Sequence, residues 1–282
     1  IHGEVLVSYA RGITSAPATG PSNIVVHLDP DGLGPQPFGQ EILVTSTRIG
    51  SNSPIAAQRV RTIDAEGNLA WYRGPGEHSG RVYLTYTDAA GNLDPSDGLF
   101  HGTDIFVRMS DDDGLTWSEP IEVADADAAD QFFPSPAVDQ SSGNVAVSWY
   151  TSTGPEDKQT QHVATISDDG GVTWRRIVYT VSPGTSDVYV DNIDSAGTRN
   201  QYGDYNGVTF VNGMLQTMWA DNSIELPGNP DPRHLDAASA RIAIAEVYEQ
   251  PLEIEGLPVL GMEGEELEVT VARFTDPNDT HE

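Results

Sequence analysis

The chain has 282 residues, of which 38% are hydrophobic, so it can bury the core of one large domain. It contains no cysteine, which excludes disulfide bonds and thiolate metal sites. Its formal net charge is −29, from 43 acidic and 14 basic residues, and this excludes nucleic acid as a partner because phosphate binding needs clustered Lys and Arg. No apolar run reaches the roughly 18 residues of a membrane span.

A seven-residue strand pattern starts at Gly3 and occurs four times along the chain. Each copy begins with glycine, alternates apolar residues and ends with an aromatic residue, which predicts a half-buried strand after a tight turn. The copies are 3–9 (GEVLVSY), 80–86 (GRVYLTY), 143–149 (GNVAVSW) and 213–219 (GMLQTMW). We call these segments the heptads. Their recurrence indicates a repeated structural unit.

Further strands are predicted around each heptad. One strand follows every heptad, at 23–28, 104–109, 161–166 and 240–247. Another precedes the last three heptads, at 68–73, 135–139 and 207–211. In the two middle units a fourth strand comes later, at 119–124 and 175–181. The unit is therefore four antiparallel strands, used about four times. Radial repetition of such sheets is the β-propeller solution to exposed sheet edges, and a β-sandwich is the alternative fold.

An acidic motif, Ser-x-Asp-x-Gly-x-Thr-Trp, stands at residues 110–117 and again at 167–174. Between two strands it predicts a hairpin turn, in which Asp accepts backbone N–H groups, Gly takes a positive φ and Trp folds back onto the sheets. We interpret these residues as structural and not catalytic. They are Ser110, Asp112, Gly114, Thr116 and Trp117 in the first motif, and Ser167, Asp169, Gly171, Thr173 and Trp174 in the second.

The motif resembles the Asp-box, or BNR repeat, of sialidase-like β-propellers. Residues 1–248 are similar to the blades of large secreted bacterial multidomain proteins that carry such repeats. The resemblance implies an all-β fold with four-stranded blades, about four of them here as part of a six-bladed propeller. It also implies a secreted or cell-surface location in a bacterium.

For function, the resemblance leaves two classes open. Sialidase-family enzymes hold a carboxylate with three arginines and attack with a tyrosine that a glutamate activates. The family's Phe/Tyr-Arg-Ile-Pro signature is absent here, and neither the arginine triad nor the Tyr–Glu pair can be assigned from the sequence. We therefore expect glycan or protein binding, adhesion or surface assembly, with an exo-acting glycoside hydrolase of sialidase type as the alternative.

The candidate ligand-binding residues lie in segments that lead into the first strand of a unit. They are Arg61 and Asp64 before the second unit, and Arg199, Asp204 and Tyr205 before the fourth. Glu66 makes a carboxylate pair with Asp64 that suits acid/base work, although such residues also cap turns. Long loops of this kind often carry function.

Calcium is the predicted cation, and no organic cofactor is expected. Asp187, Asp191 and Asp194 offer hard oxygen ligands within the polar segment 184–207, and the other interpretation of that segment is a solvated loop with Asx turns. A second acidic insertion, 87–104, suits a cation in the same way and contains Asp88, Asp94, Asp97, His101 and Asp104. We do not expect His101 to bind a transition metal, because no second His stands at a short spacing.

The pattern changes after Val247. Residues 249–282 lack an aromatic strand end and an acidic motif, and they resemble the first strands of an immunoglobulin-like module. We predict two regions: a propeller at 1–248, and at 249–282 the start of such a module or a docking strand. The predicted partners are a glycan or a neighbouring domain, and self-association through the C-terminal strand by strand addition is a further expectation.

Overall fold

A computed structural model of the chain describes residues 3–12, 20–32, 34–124, 129–153, 158–178, 186–188, 201–203, 206–223, 235–244, 253–256 and 272–275. Its strands are β1 (Val5–Gly12), β2 (Ser22–Asp29), β3 (Ile42–Thr47), β4 (Asn68–Trp71), β5 (Val82–Ala89), β6 (Thr103–Ser110), β7 (Ile121–Glu122), β8 (Gln131–Val138), β9 (Val145–Thr153), β10 (Gln159–Ser167), β11 (Arg175–Val178), β12 (Ser186–Asp187), β13 (Gly207–Val211), β14 (Met214–Asp221), β15 (Asp236–Ala243), β16 (Glu253–Gly256) and β17 (Ala272–Thr275).

These strands form four antiparallel sheets in which neighbours in the chain are neighbours in space. Sheet 1 is β1-β2-β3, sheet 2 is β4-β5-β6-β7, sheet 3 is β8-β9-β10-β11 with β12 paired to β10, and sheet 4 is β13-β14-β15. A separate antiparallel pair, β16 and β17, follows them. Successive meandering sheets are the blades of a β-propeller, so the predicted fold class is confirmed.

The heptads form the second strand of the predicted unit, and in sheets 2 and 3 their two faces contact different sheets. In β5, Leu84 and Tyr86 share a buried cluster with Ile24 of sheet 1. Tyr83, on the other face, shares a cluster with Val147 of sheet 3. The same strand is therefore buried on both sides, as expected for the middle of a stack of blades and not for a two-sheet sandwich.

Sheet 3 repeats this arrangement one step further along the chain. Val147 and Trp149 of β9 face the cluster shared with sheet 2, whereas Ala146 lies in a cluster with Phe210 and Leu215 of sheet 4. Residues three, five and seven of a heptad thus face the preceding sheet, and residues four and six face the following one. This is the period-two alternation of a strand applied to two different interfaces.

The acidic motifs form closed turns through their own side chains. In the loop 110–117, Ser110 Oγ donates to Asp112 Oδ1 at 2.8 Å, and Thr116 donates to the same carboxylate through its backbone N at 2.8 Å and its Oγ1 at 2.6 Å. Gly114, at φ +87°, donates its N–H to Ser110 Oγ at 2.8 Å. Trp117 Nε1 closes the turn on the Gly114 carbonyl oxygen at 3.0 Å.

The loop 167–174 has the same hydrogen bonds. Ser167 Oγ donates to Asp169 Oδ1 at 2.7 Å, and Thr173 Oγ1 donates to Asp169 Oδ2 at 2.6 Å. Gly171, at φ +95°, donates to Ser167 Oγ at 2.8 Å, and Trp174 Nε1 donates to the Gly171 oxygen at 3.1 Å. Hydroxyl and backbone N–H donors surround each Asp, so both carboxylates are held as acceptors within the turn.

Each of these turns lies against the preceding sheet. A Cβ on Gly114 would stand 2.9 Å from a methyl group of Leu6 in sheet 1, and one on Gly171 would stand 2.6 Å from Met109 Sδ in sheet 2. Glycine is thus favoured at both positions for its positive φ, and the missing Cβ leaves room for these side chains. Arg81 connects the two turns, because its guanidinium binds the Asp111 carboxylate at 2.7 and 2.8 Å and donates to the Gly170 oxygen at 2.7 Å.

A series of polar contacts joins the sheets where their first and second strands meet. Arg73 of sheet 2 donates to the backbone oxygen of Glu4, next to sheet 1, at 2.6 Å. The Arg73 N–H donates to Gln140 Oε1 of sheet 3 at 2.8 Å, and the Gly213 N–H of sheet 4 donates to Asp139 Oδ2 at 2.5 Å. These contacts join neighbouring blades by satisfying turn groups that the sheets leave unpaired.

Candidate functional site

The connectors that lead into the first strands of sheets 2, 3 and 4, together with the connection from β5 to β6, lie at the opposite end of the sheets from the turn contacts. We call this the loop end, and it comprises residues 48–67, 87–103, 129–133 and 201–206 as far as they are described. The connectors contact one another: Thr87 N donates to the Ala65 oxygen at 2.9 Å, Phe100 N to the Pro54 oxygen at 2.8 Å, and Arg59 to the Asp97 oxygen at 2.8 Å.

The predicted ligand residues Arg61 and Asp64 lie at the loop end. Arg61 is exposed and Asp64 is half-buried, whereas Glu66 is only 9% exposed. Thr62 and Glu66 both adopt left-handed backbone conformations, with φ of +66° and +44°. Such values are costly for a β-branched residue, and strain of this kind concentrates at functional sites. The short segment 61–67 therefore combines the guanidinium of Arg61, two carboxyl groups and a strained backbone.

A bulge in β8 adjoins this segment. The β8–β9 register shifts between Phe132 and Ser135, and Phe133 has φ +57°. Two asparagines from neighbouring sheets donate to the bulge, Asn68 to the Pro134 oxygen at 2.8 Å and Asn206 to the Phe133 oxygen at 2.7 Å. We did not predict this feature, although Pro134 within a strand pattern is the signal that indicates a bulge.

An aromatic cluster lies behind the loop end. Tyr150 stacks on Phe132, with ring centroids 5.2 Å apart, and His162 stacks on Trp219 at 4.9 Å. Tyr202 joins the cluster 4.8 Å from the Tyr150 ring. Burial lowers the pKa of His162 to about 3, so this imidazole is neutral at physiological pH and part of the core. The cluster supports the connectors and offers no exposed aromatic face.

A carboxyl group with a raised pKa lies where β6 begins. Burial, followed by the charges of Glu122 and Asp130, raises the pKa of Asp104 to about 7. Asp130 itself is buried and accepts a hydrogen bond from Thr103 N at 3.2 Å. A carboxyl group that keeps its proton near neutral pH can serve as a general acid.

The insertion 87–104 brings one possible set of metal ligands together. A carboxylate oxygen of Asp94, one of Asp97 and a ring nitrogen of His101 all lie within 4.8 Å of one another. In the structure, Asp97 and His101 bind each other directly, with 2.9 Å between Oδ2 and Nε2. Hydrogen bonds from the side chain and then the backbone N–H of Ser96 lower the pKa of Asp94, and the N–H donates to its Oδ1 at 2.7 Å. The three groups can hold a divalent cation. In the structure the Asp97–His101 hydrogen bond closes this loop.

A Tyr–Glu pair, which the sequence had not indicated, lies in sheet 1. Tyr9 Oη donates to Glu41 Oε2 at 3.0 Å and contacts His27 Nε2 at 3.2 Å, while Arg11 pairs with Glu41 at 3.0 Å. The Glu41 hydrogen bond is the main cause of a raised Tyr9 pKa. Because Tyr9 pairs with Val25, in the middle of β2, this group lies on the face of sheet 1 and not at the loop end.

Several predicted site residues lie outside the described residues: Arg199, Asp204 and Tyr205 for ligand binding, and Asp191 and Asp194 for calcium. The backbone of Asp187 is described, in β12, where it pairs with Gln159. Within the part of the chain that the structure describes, no helix is long and apolar enough to cross a membrane.

Comparison with known proteins places the chain by fold alone. No family model and no curated protein sequence matches it. Among solved structures, the Hadza microbial sialidase Hz136 aligns with a TM-score of 0.50 at 15% identity, over 86% of this chain and 42% of that one. The phage phi92 endosialidase aligns with a TM-score of 0.50 at 14% identity, over 100% and 41%. The α-L-arabinofuranosidase Arb93A from Fusarium graminearum aligns at 0.44 and 16%, over 86% and 73%.

The chain thus spans about two fifths of the length of the two sialidases that it matches. At these identities the likeness concerns the fold and does not transfer a reaction. Together with the four antiparallel sheets, it shows that the described chain has the sialidase-like β-propeller fold.

Proposed function

We propose that the chain is a glycan-binding segment of a secreted or cell-surface bacterial protein, and that the loop end is its binding surface. The observation that carries the proposal is the segment 61–67, where Arg61, Asp64 and Glu66 meet a strained backbone beside the β8 bulge. Sugar hydroxyl groups are bound by such mixed donors and acceptors. Connectors at one end of a rigid scaffold are also where binding sites are usually found.

The test is binding of the full chain to an array of sialylated and neutral glycans. Arg61→Ala and Glu66→Gln should each weaken binding at least tenfold, because each removes a polar group from the proposed site. The control is Arg241→Ala, which removes an exposed arginine from sheet 4, away from the loop end. Equal binding by all three variants would refute the assignment of the loop end.

An exo-acting glycoside hydrolase of sialidase type is the second candidate. The raised pKa of Asp104 favours it, because hydrolysis of a glycosidic bond requires a protonated carboxyl group near the leaving oxygen. The test is release of a fluorophore from a 4-methylumbelliferyl sialoside. If Asp104 is the acid, Asp104→Asn abolishes turnover and spares glycan binding. Absence of turnover by the unmodified chain would leave the binding role as the proposal.

We further propose that the loops 110–117 and 167–174 are Asp-boxes in the sense of the sialidase-like family, and that their role is structural. Their support is the hydrogen bonding of Asp112 and Asp169 within the turns. The division into a propeller at 1–248 and a second module or docking strand at 249–282 also remains our proposal. Limited proteolysis tests it, since a boundary predicts cleavage near residue 248 and a stable larger fragment.

A further inference from the structure

The hairpin that joins β13 to β14 turns through two residues, Asn212 and Gly213. Val211 pairs with Met214 on either side of them, and their φ values are both positive, at +51° and +76°. Positive φ at both central positions defines the type I′ turn, in which Asn-Gly is a favoured pair. The same pair is prone to deamidation, because a glycine leaves the backbone nitrogen that follows the asparagine free of steric hindrance.

Deamidation at this turn proceeds through the backbone nitrogen of Gly213. That nitrogen first loses its proton and then attacks the side-chain amide carbon, Cγ, of Asn212. The new N–Cγ bond replaces the bond from Cγ to the amide nitrogen, ammonia leaves, and a cyclic succinimide remains. A water molecule then opens the ring at either of its carbonyl carbons and yields aspartate or isoaspartate. The reaction thus needs no reagent besides water, and it starts from a backbone anion at Gly213.

A carboxylate of the preceding sheet binds this N–H group. Gly213 N donates to Asp139 Oδ2 at 2.5 Å, and Asp139 lies in the turn between β8 and β9 with only 1% of its surface exposed. Ser141 donates to the other oxygen, Oδ1, through its N–H at 2.9 Å and its Oγ at 2.7 Å. Burial works to raise the pKa of Asp139, but hydrogen bonds from Ser141, Gly213 and Asn212 prevail and lower it. Asp139 is therefore ionised at neutral pH.

The contact between Asp139 and Gly213 opposes the first step of deamidation. Loss of the Gly213 proton places a backbone anion 2.5 Å from a buried carboxylate, and a like charge this close disfavours the ionised form by a factor of about ten or more. The opposing charge comes from sheet 3, whereas the reacting groups belong to sheet 4. Protection of Asn212 therefore depends on the contact between the two sheets.

A second Asn-Gly pair, Asn206-Gly207, leads into the same hairpin and is held in a different way. Asn206 donates its side-chain N–H to the Phe133 oxygen at 2.7 Å, which fixes its amide group in the β8 bulge. Gly207 is the first residue of β13 and pairs with Met218 in the ladder. Neither contact involves Asp139. Asn206 is thus an internal reference for any effect that arises from Asp139 alone.

We propose that Asn212 is a modification site that Asp139 keeps closed as long as sheet 4 is docked on sheet 3. Where that contact is lost, Gly213 attacks Asn212 and deamidation follows. Isoaspartate adds a methylene group to the backbone of the turn, and either product places a new carboxylate beside Asp139, so the contact between the sheets is weakened. Deamidation at this turn therefore marks the copies in which these blades have separated.

The test is peptide mass spectrometry of the folded full chain after incubation in mildly alkaline buffer, with the Asn206 and Asn212 sites quantified separately. Asp139→Ala should speed deamidation of Asn212 by about tenfold or more, because it removes the charge that opposes the Gly213 anion. It should leave Asn206 unchanged. The matched control is Asp169→Ala, which also removes a carboxylate of sheet 3 that accepts backbone N–H groups, but in the loop 167–174.

Three results would overturn the proposal. Deamidation of Asn212 in the folded, unmodified chain at the rate measured in concentrated urea would show that the contact gives no protection. An unchanged slow rate in Asp139→Ala would assign the protection to the turn itself. Equal acceleration at Asn206, or in Asp169→Ala, would assign the effect to loss of the fold.

If Asp139→Ala fails to fold by circular dichroism, amide hydrogen exchange of the unmodified chain decides. Exchange in alkaline buffer passes through the same backbone anion, so the Gly213 amide should exchange at least about tenfold more slowly than that of Gly143. The comparison is matched, because the Gly143 N–H donates to the neutral backbone oxygen of Asp139 at 2.8 Å, in the adjoining turn. Exchange of Gly213 as fast as that of Gly143 would refute the role of the Asp139 charge.

Discussion

Asn68 and Asn206, which belong to sheets 2 and 4, donate side-chain N–H groups to consecutive carbonyl oxygens of the β8 bulge in sheet 3. The distances are 2.8 Å from Asn68 to the Pro134 oxygen and 2.7 Å from Asn206 to the Phe133 oxygen. A bulge leaves backbone groups without ladder partners, and buried carbonyl groups without donors are costly. Side chains from sheets 2 and 4 therefore stabilise the bulge in the first strand of sheet 3.

We expect Asn206→Ala to lower the free energy of unfolding by about 1–3 kcal/mol, because it leaves the Phe133 oxygen without its donor. Urea denaturation followed by tryptophan fluorescence measures the effect. Asn52→Ala serves as the control, since Asn52 is exposed and its contact with Ser51 is long, at 3.5 Å. Equal stability of both variants would mean that the bulge does not depend on this hydrogen bond.

The carboxylate of Asp169 should make stability depend on pH in the acid range. Burial works to raise its pKa, but hydrogen bonds from Thr173, Ser167 and Val172 prevail and lower it to about 2. A carboxyl group with a depressed folded-state pKa stabilises the fold above its unfolded pKa, about 3.9, and this contribution is lost as the pH falls towards 2.

Asp169→Asn should therefore be less stable than the unmodified chain at pH 7, by about 1 kcal/mol after allowance for solvent screening. The difference should shrink between about pH 4 and pH 2, the interval in which the unmodified carboxylate gains its proton. Thermal unfolding across this range is the measurement. A difference that stays constant down to pH 2 would contradict the role given to the charge.

The buried imidazole of His162 should make the stability of the fold depend on pH over a less acidic range than Asp169 does. Burial lowers its pKa to about 3, so the unfolded chain binds a proton below about 6.5 that the folded chain does not bind. Stability should fall as the pH decreases below 6.5, by up to about 1.4 kcal/mol per pH unit. His162→Phe keeps an aromatic ring against Trp219 and should remove about 2 kcal/mol of the difference between pH 7 and pH 5. Urea denaturation at the two pH values tests this, and an unchanged pH dependence would show that His162 is not its source.

Even a conservative substitution of Arg81 should lower the free energy of unfolding. Its guanidinium binds the Asp111 carboxylate with two hydrogen bonds and the Gly170 oxygen with a third, and lysine cannot reproduce this planar geometry. We expect Arg81→Lys to cost about 1–2 kcal/mol in chemical denaturation. Arg11→Lys, in a pair where the arginine side chain is 54% exposed, should cost less than about 0.5 kcal/mol. Comparable losses in the two variants would count against a special role for the contact.

Calcium binding remains a proposal for Asp187, Asp191 and Asp194. If these residues bind calcium, adding the ion at about a hundred times its dissociation constant should stabilise the fold by about 2.7 kcal/mol, and chelation should reverse the effect. The triple Asn variant should lose the response. The matched control is Asp94→Asn with Asp97→Asn, which changes the second acidic insertion. Loss of the response in the control alone would place the cation there.

Local sequence determined the parts of this fold that depend on near neighbours. The heptad pattern predicts the second strand of each unit, because alternating apolar residues are typical of a strand. It predicts one buried face, however, and β5 and β9 are buried on both. The acidic turns are also local, since Asp112 reaches Ser110 and Thr116 within seven residues. The sequence predicts a strand at 135–139, but β8 begins earlier, at Gln131, and continues through a bulge. The prolines of this segment interrupt the strand pattern, so the first part of β8 was missed.

Only the tertiary structure decided which distant groups meet. The Arg81 contact with Gly170, the Asn206 contact with Phe133 and the pairing of Tyr9 with Glu41 join residues from different turns, strands or sheets, and nothing in their spacing indicates them. The same holds for the exposure of Val7 and Met218, which have the heptad pattern of buried residues. Composition and period determine which face of a strand is apolar, but the packing of sheets on each other determines whether that face is covered.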